Sequence, residues 1–152
     1  MALANITQEE TNRENREHCK AIAERLEAVA NGTFYRCPEC GEWIEFENEQ
    51  YDDDAATYTC QECKATFEEN ELEAISFYDY FQDQILDVEF RIGSDRKYRS
   101  VKIMVAWGGP NIYIDTASQA VELYWWTDRA SYLIDSDTVK EIDAWAEEWY
   151  QC

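Results

Sequence analysis

The feature that most constrains this chain is a doubled cysteine spacing. Cys37-Pro38-Glu39-Cys40-Gly41 is answered by Cys60-Gln61-Glu62-Cys63-Lys64, with nineteen residues between the pairs. Two intervening residues let both thiols of a pair turn toward one point, and two such pairs at this separation fit a four-cysteine zinc site. Pro38 pre-sets φ for the turn and has no N–H to leave unsatisfied. Gly41 leaves room for the chain to reverse, having no Cβ. Lys64 holds the equivalent place after the second pair and is less suited to it. The rival reading is a pair of disulfides. Met1 to Cys19 is polar and charged, without the apolar run of a secretory signal, and a reducing cytoplasm keeps thiols free or on metal. The expectation is one structural Zn2+ per chain in a cytoplasmic protein, held by Cys37, Cys40, Cys60 and Cys63. Four thiolates leave no open coordination position.

Between the pairs lie two short β-prone runs, Trp43 to Glu47 and Ala56 to Thr59, joined by an acidic loop. This layout resembles a zinc ribbon over residues 33–69. Alternation points Ile44 and Phe46 one way and Trp43, Glu45, Glu47 and Glu49 the other, with Asp52, Asp53 and Asp54 following in the loop. These acids and Trp43 form the candidate partner-binding set.

The charge excludes whole classes of function. The 152 residues carry 33 acids against 13 bases, a net −20. Such a molecule is repelled by phosphate backbones and anionic lipid, so a basic protein surface is the expected partner and direct nucleic-acid binding is not. No apolar run is long enough to span a membrane. Six Trp, ten Tyr and six Phe argue against disorder throughout.

Along the chain, Thr7 and Glu10 form a capping box that opens a helix ending near Ala30, before Asn31-Gly32. Cys19, Ile22, Leu26 and Val29 give it a buried stripe, while its first three turns carry none and are expected to project into solvent. His18 and Cys19 are helical neighbours that point apart, so Cys19 is read as core and not as a second metal site. Asn70 is expected to cap a helix through Gln84, with Leu72, Ile75, Tyr78 and Phe81 as its stripe. Alternation then predicts four strands: Val88 to Ile92, Val101 to Trp107, Ile112 to Ile114 and Val121 to Trp125. Their short connections imply an antiparallel meander. A last helix, capped by Asp135 or Ser136, carries Val139, Ile142, Trp145, Ala146 and Trp149. The expected fold is α+β: a four-stranded antiparallel sheet with flanking helices and an inserted four-cysteine zinc ribbon. The expected segments are 1–32 as N-terminal helix, 33–69 as ribbon and 70–152 as core domain.

Catalytic signals are weak. Trp107-Gly108-Gly109-Pro110-Asn111 follows a strand but precedes no helix, so it reads as a turn and not a phosphate loop. Asp115, Glu122 and Asp128 are chance carboxylates in an acid-rich chain, and His18 has no reacting partner, so the chain reads as a non-enzyme. Arg91, Arg96, Lys97, Arg99 and Lys102 around one hairpin are expected to balance nearby acids. A zinc-ribbon regulatory protein contacting nucleic acid, through these bases, or transcription machinery is the alternative function. Tyr124-Trp125-Trp126 is an aromatic patch, suited either to a ligand or to a covered sheet.

From Trp107 onward, GGPNIYIDT…VELYWWTDRASYLID is similar to small proteins carried by phages and other mobile elements. The whole plan, acidic and non-catalytic with a structural zinc, resembles the anti-CRISPR class of phage proteins. That resemblance implies inhibition of a type II CRISPR effector nuclease in a bacterial host cell, by binding its basic surface and blocking nucleic-acid loading or target cleavage.

Overall fold

A computed structural model describes residues 7–45 and 51–152. They form an α+β chain that divides into two compact units, with the boundary inside the first helix. One unit comprises residues 1–24 and 84–152, the other 25–83.

Helix α1 spans Gln8–Ala30. Its start is the expected capping box: Thr7 N donates to Glu10 Oε2 at 2.9 Å and Glu10 N to Thr7 Oγ1 at 3.2 Å. Cys19, Ala23, Leu26 and Val29 are buried along it. Burial pushes the Cys19 thiol up to about 11, as befits a small apolar core residue.

In the larger unit, β6 (Asp87–Ile92), β7 (Tyr98–Ala106), β8 (Asn111–Asp115), β9 (Ala120–Trp125) and β10 (Asp128–Leu133) form an antiparallel sheet in chain order. The meander is as expected, but it has five strands where the sequence suggests four. The fifth is hidden by its turn. Trp125 pairs with Asp128, leaving a two-residue loop whose first member, Trp126, sits at φ +54°. Tight hairpins usually place Gly or Asn there, so the sequence carries no turn signal.

One sheet face buries Val101, Ile103, Ile112, Ile114, Val121 and Leu123. Helix α3 (Ser136–Gln151) lies against β7 and buries Val139, Ile142 and Ala146. Trp149 meets Phe90 ring-to-ring at 5.6 Å. Strict alternation would bury Trp107 too, yet it is 73 % exposed. A register shift between Met104 and Ala106 breaks the alternation before it arrives there.

The first turns of α1 do not simply project into solvent. Gln8 Nε2 donates to Asp128 Oδ1 at 2.7 Å, and the Arg16 guanidinium lies 5.9 Å from the Tyr132 ring centre. A polar flank has docked on β10 without an apolar stripe to announce it.

The smaller unit contains two short sheets, β1 (Phe34–Arg36) with β2 (Trp43–Glu45), and β3 (Tyr51–Asp52) with β4 (Thr57–Thr59) and β5 (Thr66–Glu68). The single helix expected from Asn70 to Gln84 is instead a 3-10 turn at Glu69–Glu71 and a short α2, Phe77–Gln82. Ser76 caps α2 by accepting from Asp79 N at 3.3 Å. The spacing-of-three stripe misleads: Tyr78 is exposed, whereas Phe77, Tyr80 and Phe81 are buried. Residues 74 and 75 are extended alongside β1, with Ile75 N donating to Phe34 O at 2.8 Å.

Candidate metal centre

The two cysteine pairs fold into matching knuckles. In the first, Gly41 N donates to Cys37 O at 2.9 Å and Cys37 N to Glu42 O at 2.8 Å. In the second, Lys64 N donates to Cys60 O and Cys60 N to Ala65 O, both at 2.9 Å. Each knuckle ends on a left-handed residue, Gly41 at φ +78° and Lys64 at φ +62°. Glycine takes that conformation freely; a lysine is strained there, since its Cβ crowds the backbone.

This repeated geometry brings all four sulfurs to one place. The Sγ atoms of Cys37, Cys40, Cys60 and Cys63 lie within 4.8 Å of one another. Cys37 to Cys63 is 3.7 Å and Cys40 to Cys60 is 3.6 Å. A tetrahedral ion with metal–sulfur bonds of about 2.3 Å requires sulfur–sulfur edges of about 3.8 Å. The cluster therefore fits a single four-coordinate ion, and the close approaches are far too long for disulfides. Among the described residues, no other group of three or more potential ligands is so arranged.

Electrostatics favour a cation at this point. Burial works to raise the Cys37 pKa, but the N–H groups of Cys40 and Glu39 and the neighbouring thiols outweigh it and bring it down to about 7. At Cys40 the Glu42 N–H works to lower the pKa, but burial and the three other sulfurs prevail and push it up to about 12. The Cys37 thiolate thus forms readily, whereas Cys40 and Cys63, whose pKa values are raised, need a positive charge beside them.

The centre is built into a core. Cys37 and Cys60 are buried with Ile44, Tyr58, Phe67 and Leu72, and Tyr35, Tyr51 and Ala65 pack around them. Cys40 and Cys63 face outward. The ion would therefore tie a small apolar cluster to two exposed turns.

The candidate partner-binding residues fall in different settings. Trp43 is half-buried, with its ring 5.3 Å from those of Phe34 and Tyr80 and the Arg25 guanidinium 5.8 Å away. It supports the fold of this unit whatever else it touches. Asp52 Oδ1 accepts from Asp54 N at 3.0 Å and Ala55 N at 3.1 Å, so its carboxylate closes the β3–β4 turn. Asp53 and Asp54 are exposed at the tip. Glu45 pairs with Phe34 across β1 and β2. Phe46, Glu47 and Glu49 lie outside the described residues.

Elsewhere, the hairpin bases are largely engaged. Arg91 grips Asp115 through two hydrogen bonds, Arg99 pairs with Asp95 at 2.9 Å, and Lys102 Nζ lies 4.5 Å from the Tyr113 ring centre. The Gly108-Gly109-Pro110 segment is a strand-to-strand turn, with Gly108 N donating to Asn111 Oδ1 at 3.3 Å. In the aromatic patch, Tyr124 is half-buried and Trp126 is 88 % exposed. Sequence reasoning misses the Arg91–Asp115 pair and the bond from Tyr98 OH to Asp143 at 2.6 Å, because both join residues far apart in the chain.

No known family model, curated protein or solved structure matches the chain. No described helix is long and apolar enough to cross a membrane.

Proposed function

We propose that this is a non-catalytic, zinc-stabilised binding protein that docks on a basic protein surface through its smaller unit. The observation that carries the reading is where the charge sits. Residues 25–83 hold sixteen acids against three bases, all within the unit that folds around the four cysteines. Zinc is the ion of choice for four converging thiolates, and one ion with four protein ligands has no position left for substrate. Its role is to hold an acid-rich segment together despite self-repulsion, supplying about 10–16 kcal/mol by zinc-finger precedent.

The class of partner follows from the resemblance to anti-CRISPR proteins. A type II effector nuclease lines its nucleic-acid channel with Lys and Arg, which await phosphates. Carboxylates on the ribbon would occupy that channel as a nucleic-acid mimic and block loading or target cleavage. Electrostatic docking of this kind acts mainly on association rate and weakens with salt.

The test is co-purification with type II effectors, followed by association rates across a salt series. Glu45, Glu47 and Glu49 are changed to Gln and Asp53 and Asp54 to Asn, leaving Asp52 to close its turn. The reading predicts an association rate at least about tenfold slower and a flatter salt dependence, with metal content unchanged. Unchanged association and inhibition in that variant would refute docking through these acids.

A further inference from the structure

The outer edge of β10 is built differently from the rest of the surface. Among the described residues, β10 is the last strand of its sheet, bonded to β9 on one side only. Alternate residues of such a strand turn their N–H and C=O outward, where they can template another strand. Beside it runs a groove of about 680 Å³, lined by Arg129, Ala130, Ser131, Tyr132 and Leu133, and across from them by Asn12 and Arg16. The groove thus follows five consecutive residues of the strand, and Leu133 is exposed at its end.

Its charge is also exceptional. Arg16 stands over the Tyr132 ring and Arg129 over Tyr124, at 5.9 and 5.6 Å from the ring centres. Among the described residues neither makes an ion pair, in a chain with 33 acids to choose from. Each is held in place by an aromatic face, its hydrogen-bond donors unspent among the described residues. The sheet segment 87–133 around Arg129 is locally balanced, with six acids and six bases, and residues 8–24 around Arg16 carry five acids against three bases, both far from the sixteen-to-three excess of residues 25–83. Acids more than about 8 Å away are largely screened at physiological ionic strength.

We propose that the β10 edge is a docking site for an extended, carboxylate-bearing segment of another protein, added as a sixth strand. Main-chain hydrogen bonds would supply affinity, and Arg16 and Arg129 would select for Asp or Glu side chains. A second copy of this chain is a poorer occupant. A facing β10 carries one carboxylate, Asp128, which already accepts from Gln8, and it would bring another Arg129 beside the first. The site is separate from the acidic unit, so it stands or falls independently of the docking proposed above.

Arg129 and Tyr132 point to opposite faces of β10, so the probe is an eight-residue peptide of repeated Val-Glu-Glu-Val, which offers a carboxylate on each face; it is titrated into the metal-loaded protein and followed by amide NMR shifts and hydrogen exchange. The expected result is shifts and slowed exchange concentrated at residues 129–133, with a Val–Lys peptide at least about tenfold weaker. Arg16→Gln with Arg129→Gln should abolish the preference for Glu while leaving other amide positions unmoved. Shifts away from β10, equal binding of both peptides, or no shifts at millimolar peptide would each overturn the proposal. So would sedimentation showing that β10 is already covered in a dimer.

Discussion

Arg91 and Asp115 meet across β6, β7 and β8 in a two-pronged ion pair, Nη1–Oδ1 at 2.7 Å and Nη2–Oδ2 at 2.9 Å. Asp115 is buried and also accepts from Ala117 N at 2.9 Å. Burial alone would raise its pKa, but the guanidinium and this N–H outweigh it and hold the carboxyl below the usual range.

Because the folded pKa is depressed, the pair's contribution is present above the unfolded value near ~3.9 and is lost as pH falls through the folded one. Asp115→Asn should cost about 2–3 kcal/mol at pH 7, less than a fully buried pair because Arg91 is partly in water. Below pH 4 the deficit against wild type should shrink. Urea melts at pH 7 and pH 3 check both statements.

Tyr98 gives the opposite limit. Burial, then its hydrogen bond to the Asp143 carboxylate, push its phenol pKa far up. A raised folded pKa is a contribution present below the unfolded value near ~10 and lost as pH rises toward the folded one. Tyr98→Phe should cost about 1–3 kcal/mol at neutral pH and flatten the loss of stability between pH 10 and 12. Thermal melts across that range decide it.

The two knuckles invite a symmetric test. Gly41→Ala puts a Cβ at φ +78° and should cost about 1–2 kcal/mol, whereas Lys64→Gly relieves φ +62° and should gain up to about 1 kcal/mol. Both are read as shifts in the chelator concentration that unfolds residues 25–83. A Lys64→Gly variant weaker than wild type would mean that the lysine side chain does something the backbone does not reveal.

What was legible in the sequence follows from which interactions are local. The capping box at Thr7, the C-x-x-C pairs and the β6–β9 alternation all repeat within a few residues, so spacing alone carried them. β10 was lost because Trp126 takes a turn position without Gly, and α2 because Leu72 and Ile75 are buried as extended chain and not as helix. Ile103, fully buried as alternation required, should lose about 2–5 kcal/mol on change to Ala. Trp107, beyond the register shift, should lose under about 0.5 kcal/mol.

Four cysteines, we propose, organise residues 25–83 around one zinc ion. Metal analysis with native mass spectrometry on wild type and Cys40→Ser tests it most directly. The expected result is about one zinc per wild-type chain, and in the variant loss of the metal together with the near-UV signal of Tyr58 and its neighbours, while the five-stranded sheet persists. A metal-free wild type that is nonetheless folded over residues 25–83, or full zinc content in Cys40→Ser, would contradict it.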